Sequence, residues 1–481
     1  MDTLSLRISK ILDSPDFFGN ESKIPSPERI KNEYLSVRNY LIDRNSKDTL
    51  IALSLDRDYR YILVILVCME VGLAFIPLNS KYPESYNRKI KKNAKFDAVF
   101  DNESYEIAVK NSKQGKLASF AKNNNDPLYI IFTSGSSGDP KGVIITRGSF
   151  INFVNWVEVF FSNITSQDRL LNVAEFTFDM SFLDIALLIT RKPTIFVSNF
   201  KGNIFKLAAE IENNKISTIA TVPNNLSFLA SEDIYDRADF SSVRNLLLGG
   251  ARFSEGLYHL LSKNFRGTNI YNLYGPTEAT VYCTAKEINF DSSEIINGVV
   301  TVGQNILNCA TFIFDDLNNT CKPYQKGEVF ISGHQIMKGY INNPKKNSES
   351  LQKINNVTYY KTGDIGFKDT NDNLFITGRM DDTIKAAGYR VNLSDIDSYI
   401  SSISGVIEVA SIAIEDQDEE NRVICFIRGH DKGKILNKID STLPKHISPK
   451  KVIFIEYFPL TKSGKIAKKI LKENFSNGEY E

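Results

Sequence analysis

The stretch Leu128-Tyr129-Ile130-Ile131-Phe132-Thr133-Ser134-Gly135-Ser136-Ser137-Gly138-Asp139-Pro140-Lys141-Gly142 runs from an apolar strand pattern into a loop of hydroxyls, glycines and one lysine. Gly135, Gly138 and Gly142 let backbone N–H groups approach an anion closely. Thr133, Ser134, Ser136 and Ser137 add hydroxyl donors, and Lys141 adds a positive charge. Donors converging in this way suit a chain of phosphates. The loop is not of the Walker A type, since Lys141 follows Pro140 and precedes Gly142 where that motif needs Ser or Thr after its lysine. It carries no G-x-G-x-x-G fingerprint either. A flexible Ser/Gly linker has a similar composition, but linkers are not normally flanked by a buried-type strand and, from Phe150 to Phe161, a helix-like apolar run.

Outward from the loop, apolar runs of strand length alternate with amphipathic segments of helix length. Leu50 to Leu55, Leu73 to Leu78, Thr194 to Val197, Thr218 to Val222 and Asn245 to Leu248 are such strands, and the alternation argues for α/β layers. After Gly303 the pattern changes to short strands and turns: Thr311 to Phe314, Gly327 to Ser332, Tyr359 to Thr362 and Asn373 to Thr377. Beyond Arg379 a smaller mixed region carries a helix-like Leu393 to Ile403 and strands near Val406 to Ile414 and Arg422 to Ile427. At 481 residues the chain exceeds one ordinary core.

Lys+Arg 58 against Asp+Glu 57 leaves a net charge of +1, which gives no electrostatic reason to expect nucleic acid or an anionic membrane as a partner. The five cysteines show no C-x-x-C spacing and the four histidines lie far apart, so neither set points to a metal. Free thiols fit a reducing cytoplasm. No signal peptide is visible, and the apolar Tyr61 to Met69 is too short to span a bilayer and reads as a buried helix.

Asn272-Leu273-Tyr274-Gly275-Pro276-Thr277-Glu278 follows a strand-like Thr268 to Tyr271 and puts an amide, an aromatic ring and a carboxylate on one turn. Tyr360-Lys361-Thr362-Gly363-Asp364, Gly378-Arg379-Met380-Asp381-Asp382, Lys385-Ala386-Ala387-Gly388-Tyr389-Arg390 and Leu460-Thr461-Lys462-Ser463-Gly464-Lys465-Ile466 complete an ordered series. With the Ser/Gly loop, this series closely resembles the acyl-adenylate-forming ligases, the superfamily of acyl-CoA synthetases, luciferases and the amino-acid-activating domains of nonribosomal peptide synthesis. The likeness extends from about Val71 to Ile470.

The resemblance implies an N-terminal domain of α/β layers plus a small β-barrel over residues 1–380, and a mobile, smaller α+β C-terminal domain over 381–481. It implies ATP and magnesium, with Thr133 to Gly138, Lys141, Gly250, Asn272, Tyr274, Gly275, Asp364 and Arg379 around the nucleotide. Tyr274 would pack on adenine, Asn272 meet its amino edge, Thr277 touch the α-phosphate, Glu278 help hold the metal and Asp364 accept from the ribose hydroxyls. Asp381 would be the hinge, Gly388 would let a pantetheine thiol pass, and Lys465 would enter the site for adenylation. Three stretches depart from the family pattern, one of them Leu443 to Pro449, which lacks the usual Met-Ile pair before its proline. Near Glu33 to Val37 the first motif is barely recognisable, and Val391-Asn392-Leu393-Ser394-Asp395-Ile396-Asp397 replaces a Glu-rich run, a change expected to affect helix capping rather than catalysis.

Phe178-Asp179-Met180-Ser181-Phe182-Leu183-Asp184 resembles the family segment that marks amino-acid users, where the Asp pairs with the substrate ammonium. A buried carboxylate needs a partner, and an α-ammonium supplies one. Aligned by these motifs, Met180, Leu183, Thr221, Leu247, Gly249, Leu273, Val281 and Tyr282 line the substrate pocket. That mainly apolar wall leaves no second charge and is similar to pockets for glycine and other small amino acids. The surroundings of the loop also look like D-alanine ligases that serve a separate carrier protein. With no carrier domain after Lys465, a stand-alone ligase acting on a phosphopantetheine thiol is expected. The rival enzyme is an acyl-CoA or aryl-acid ligase, against which Asp179 argues. The rival of another class is a catalytically silent nucleotide-binding protein, which would have no need of Lys465 or Glu278.

Overall fold

The computed structural model describes residues 3–13, 16–19, 24–46, 48–110, 120, 123–134, 140–200, 202–291, 294–386, 389–415, 421–442, 448–461 and 464–480. Two sheets form the layers of the large N-terminal domain. In the first, the order is Gly339–Tyr340, Pro140–Thr146, Pro127–Ser134, Ala74–Pro77, Leu50–Ser54, Ala98–Asp101. The second runs Gln304–Asn305, Thr284–Ile288, Asn269–Tyr274, Asn245–Gly249, Thr218–Thr221, Arg169–Asn172, Thr194–Val197. Its five central and edge strands from Asn269–Tyr274 onward pair in parallel, and Asn245–Gly249 is buried along its whole length, as a strand covered on both faces must be.

Helices Tyr59–Val71, Arg147–Phe160 and Ser181–Arg191 share one apolar cluster with strands of both sheets. That position explains why Tyr61 to Val71 is buried without a break. Asp58 caps the helix through Arg60 N, and Gly72, at φ 84°, ends it in the left-handed conformation that glycine adopts without steric cost. No described helix is long and apolar enough to cross a membrane.

The apolar run expected as a helix from Phe150 begins at Arg147, where Thr146 caps it by accepting from Ser149 N. Strand Pro140–Thr146 lies between the Ser/Gly stretch and that helix and pairs antiparallel with Pro127–Ser134. The loop therefore closes a hairpin, and the helix N-terminus is spent on its own cap. β-branched residues and the Pro140 start suit this strand.

After Gly303 the antiparallel sheet of the expected barrel region contains Cys309–Phe314, Gly327–Gly333, Val357–Lys368 and Leu351–Ile354, with Leu374–Arg379 paired to Val357–Lys368. The smaller C-terminal domain has a sheet of Val406–Glu415, Asn421–Gly429 and Lys451–Phe454. Helices Leu393–Ser401, Lys432–Thr442 and Lys468–Ser476 accompany it, and two apolar clusters are its own. The departure at Asn392 does concern capping: its Oδ1 accepts from Ser394 N at 2.9 Å. Its Nδ2 also donates to Arg379 O at 2.8 Å, tying the helix to the expected hinge.

Candidate active site

The hairpin register sets Lys141 directly opposite Thr133. Burial, then the charge of Lys346, pulls the Lys141 ammonium below its usual pKa, and Glu278 acts in the opposite sense, so Lys141 and Glu278 border the same space. Glu278 lies on the short 3-10 turn Thr277–Ala279, where its Oε1 accepts from Tyr340 Oη at 2.7 Å and its backbone oxygen from Met337 N at 2.8 Å. Gly135, Ser136, Ser137 and Gly138 lie outside the described residues, as does Gly388.

Strand Asn269–Tyr274 ends at Tyr274, whose hydroxyl donates to Asp364 Oδ2 at 2.5 Å. Arg379 Nη1 donates to Asp364 Oδ1 at 2.8 Å, and its Nε to Asp381 Oδ1 at 2.9 Å. Burial raises the Asp364 pKa, while Arg379 and the Tyr274 hydroxyl favour the carboxylate. Tyr274, Asp364, Arg379 and Asp381, expected from three separate motifs, thus form one hydrogen-bonded chain. Asn272 is buried and donates Nδ2 to Thr301 O at 2.8 Å, which turns its carbonyl oxygen toward the role of acceptor.

Asp179 immediately precedes the helix Ser181–Arg191. Burial pushes its pKa up to about 6, against the Thr277 hydroxyl and the charge of Lys465, with Glu278 adding to the rise. Gly250, at φ 77°, would place a Cβ 3.0 Å from the Met180 methyl, and a Cβ on Gly249 would fall 2.4 Å from Tyr282 Oη. Tyr282 therefore occupies the space that Gly249 leaves. Leu183, Thr221, Leu247, Leu273 and Val281 are buried, with Leu247 level with Ala220 and Asn172 across the sheet.

Lys465 arrives from the C-terminal domain on a tight turn. Thr461 N donates to Lys465 O at 2.7 Å and Lys465 N to Thr461 Oγ1 at 3.1 Å, while Gly464 takes φ 77°. The exposed Lys465 charge favours ionisation of both Asp179 and Asp364.

Residues 33–341 match the model of the AMP-binding enzyme family, and residues 395–465 match that of the AMP-binding enzyme C-terminal domain. The chain belongs to this family. It is an adenylate-forming ligase. Zwittermicin A synthase ZmaJ of Bacillus cereus is 27% identical over 88% of this chain and 85% of its own. A D-alanine–D-alanyl carrier protein ligase of Streptococcus equi is 30% identical over 76% of this chain and 74% of its own. Among solved structures, a four-domain nonribosomal peptide synthetase bound to AMP and glycine has a TM-score of 0.81 at 20% identity, over 98% of this chain and 36% of that one. Klebsiella oxytoca NpsA with 3-hydroxyanthranilyl-AMSN has a TM-score of 0.85 at 18% identity, over 99% and 100% of the two chains.

In this AMP-binding enzyme a second carboxylate lies buried close to Met180 along the chain. Asp184, one helical turn beyond Met180, is fully buried, and its Oδ2 accepts from Asn172 Nδ2 at 2.7 Å. Burial pushes its pKa up to about 7, while Asn172 and then Arg57 favour the charged form. Asp184 Oδ1, Tyr282 Oη and Tyr129 Oη have no hydrogen-bond partner among the described residues. The charge of Asp179 bears on both tyrosines, and that of Asp184 on Tyr282. The i, i+4 spacing of Met180 and Asp184 was the available signal, since such residues share a helix face. Tyr129, stacked on Phe182 with ring centroids 4.0 Å apart, had only its apolar strand pattern to show.

Proposed function

We propose that this ligase activates a small amino acid with ATP and passes it to the phosphopantetheine thiol of a separate carrier protein. The observation that carries this reading is the convergence of Asp179, Thr277 and Lys465 beside Asp364. An α-ammonium beside Asp179 would hold the substrate, and Asp364 with Tyr274 and Arg379 would hold the ribose. Lys465 would then stand between the substrate carboxylate and the α-phosphate. A carboxylate oxygen attacks the α-phosphorus, the bond to the bridging oxygen breaks and pyrophosphate leaves. Lys465 offsets the repulsion between the two anions as they meet. In the second half-reaction a thiolate attacks the acyl carbon and AMP departs. We place the domain boundary at Asp381, where Arg379 bridges to Asp364, and assign the thiol passage to the segment around Gly388.

Glu278 fits magnesium, which takes few protein oxygens and leans on phosphates, and no cluster of three or more candidate ligands exists among the described residues to hold a metal by itself. The metal would neutralise phosphate charge. Glu278, steadied by Tyr340, would supply the protein oxygen.

ATP–pyrophosphate exchange across a panel of amino and aryl acids tests the reading. We expect glycine or alanine, in either configuration, to give the highest kcat/KM, with serine, cysteine or proline measurable. Phenylalanine, lysine and glutamate should be poor. Rejecting a side chain one methylene smaller is limited to about 1–3 kcal/mol, whereas Tyr282 and Met180 would overlap a large one. Faster exchange with benzoate or acetate would support the acyl or aryl alternative.

The amino-acid anchor also predicts a pH profile. With the Asp179 pKa raised to about 6, the protonated form predominates below that pH and offers no charge to the ammonium. The kcat/KM for the amino acid should therefore rise between about pH 5 and pH 7, following the ionised fraction of Asp179. Asp179→Asn should remove this limb. Persistence of the limb in that variant would assign it to another group.

A further inference from the structure

The face on which the C-terminal domain docks offers three unusual contacts, all on segments next to the pocket wall. Helix Pro223–Leu229 begins two residues after Thr221, and Asn225 Nδ2 fixes it there by donating to Thr221 Oγ1 at 2.9 Å. From the same turn, Asn224 Nδ2 donates to Gly464 O at 2.9 Å, gripping the peptide unit immediately before Lys465. Gly464 also packs so closely on Val222 that an added Cβ would lie 2.6 Å from the Val222 side chain.

At the far end of this helix, Ser227 accepts a hydrogen bond from Arg428, whose guanidinium also pairs with Glu408 at 2.8 Å and lies 4.4 Å from the centroid of the Phe228 ring. Phe228 in turn stacks on Tyr457, with centroids 5.7 Å apart and planes at 24°. A third contact joins backbones. Gly256 lies in the first turn of helix Glu255–Asn264, and a Cβ there would meet Val406 O at 2.3 Å and Ile407 Cα at 2.9 Å. Beside it, the Ser254 hydroxyl donates to Ile407 O at 3.1 Å. The seam is mixed in polarity, so its charged and hydroxyl groups find water when the domains part, which suits a contact made and broken in each cycle.

We propose that Asn224 and Gly256 are positioning residues for adenylation: Asn224 aims the Lys465 turn, and Gly256 provides the backbone clearance that lets the C-terminal domain close on the site. This inference rests on the role given to Lys465 above. Neither residue touches substrate. Each acts by favouring the docked arrangement, so its loss lowers the docked population rather than the chemistry of a docked enzyme. Gly256 separates this role from general stability. Its helical position favours alanine over glycine, so Gly256→Ala should keep or raise the Tm while obstructing closure.

The test compares Asn224→Ala, Gly256→Ala and Tyr457→Ala in both half-reactions, using alanine for pyrophosphate exchange and preformed alanyl-adenylate with pantetheine for transfer. The expected result is a loss of about tenfold or more in exchange kcat for Asn224→Ala and Gly256→Ala, with a smaller loss for Tyr457→Ala. Transfer should change by less than about twofold, and the Tm of Gly256→Ala should not fall. Parallel loss in both half-reactions, or unchanged exchange in Asn224→Ala and Gly256→Ala, would overturn the proposal. Lys465→Ala serves as the reference. If it leaves exchange intact, the reading of Lys465 fails; if it abolishes exchange while both positioning variants stay active, only the seam proposal fails.

Discussion

Lys465→Ala is expected to lower pyrophosphate exchange by about 10²–10³-fold while leaving transfer from a supplied aminoacyl-adenylate nearly unchanged. Asp179 and Asp364 both feel the Lys465 charge, and in the proposed mechanism the ammonium would stand where the carboxylate and the α-phosphate meet. Without it the two anions must approach unassisted, and removing one preorganised group at a developing anion costs about 2.7–4 kcal/mol. Binding is affected less, because Asp364, Tyr274 and Arg379 form their own network without Lys465. The KM for ATP should thus change little, and the loss should appear in kcat. In transfer the thiolate attacks the acyl carbon rather than the α-phosphorus, so no anion has to reach the phosphorus itself. Equal loss in both half-reactions would refute a role confined to adenylation.

The second large effect is expected at Asp179. Asp179→Ala would leave an α-ammonium without its counter-ion in a largely buried site, and such removal of one partner costs about 3–5 kcal/mol, or roughly 10²–10⁴-fold in kcat/KM for the amino acid. ATP binding should persist, because the nucleotide contacts lie on other segments. The free enzyme should tolerate the change, since burial already opposes ionisation of this carboxyl group. The discriminating measurement is the ratio of kcat/KM for alanine to that for propionate, which should collapse toward unity. A ratio retained in the variant would show that the amino group is read elsewhere, and Asp184 would be the first place to look.

Much of this was legible because local structure follows near neighbours. The alternation of apolar runs foretold the strands at Thr194–Val197 and Asn245–Gly249, and the apolar Tyr61 to Met69 lies in a buried helix as expected. The hairpin at the Ser/Gly loop was less legible, since the apolar residues of Pro140–Thr146 serve either a strand or the approach to a helix. The burial of Asp184 was not legible for a related reason. Periodicity puts Asp184 and Met180 on one face, yet only packing decides that the carboxylate is sealed from water and left with an unpaired oxygen.

The sequence by itself determined the family, the element types and the residue kinds that a nucleotide and an amino acid require, because motif chemistry is written in adjacent residues. Tertiary structure alone decided which of them meet. Tyr274 finds Asp364 90 positions away, and Asn224 grips Gly464 across 240. Contacts over such separations depend on how whole layers dock, and neither helix nor strand periodicity carries that information. The same holds for Gly256, an unremarkable helix glycine in the sequence. Its meaning comes from the backbone of Val406, which a side chain would keep from closing.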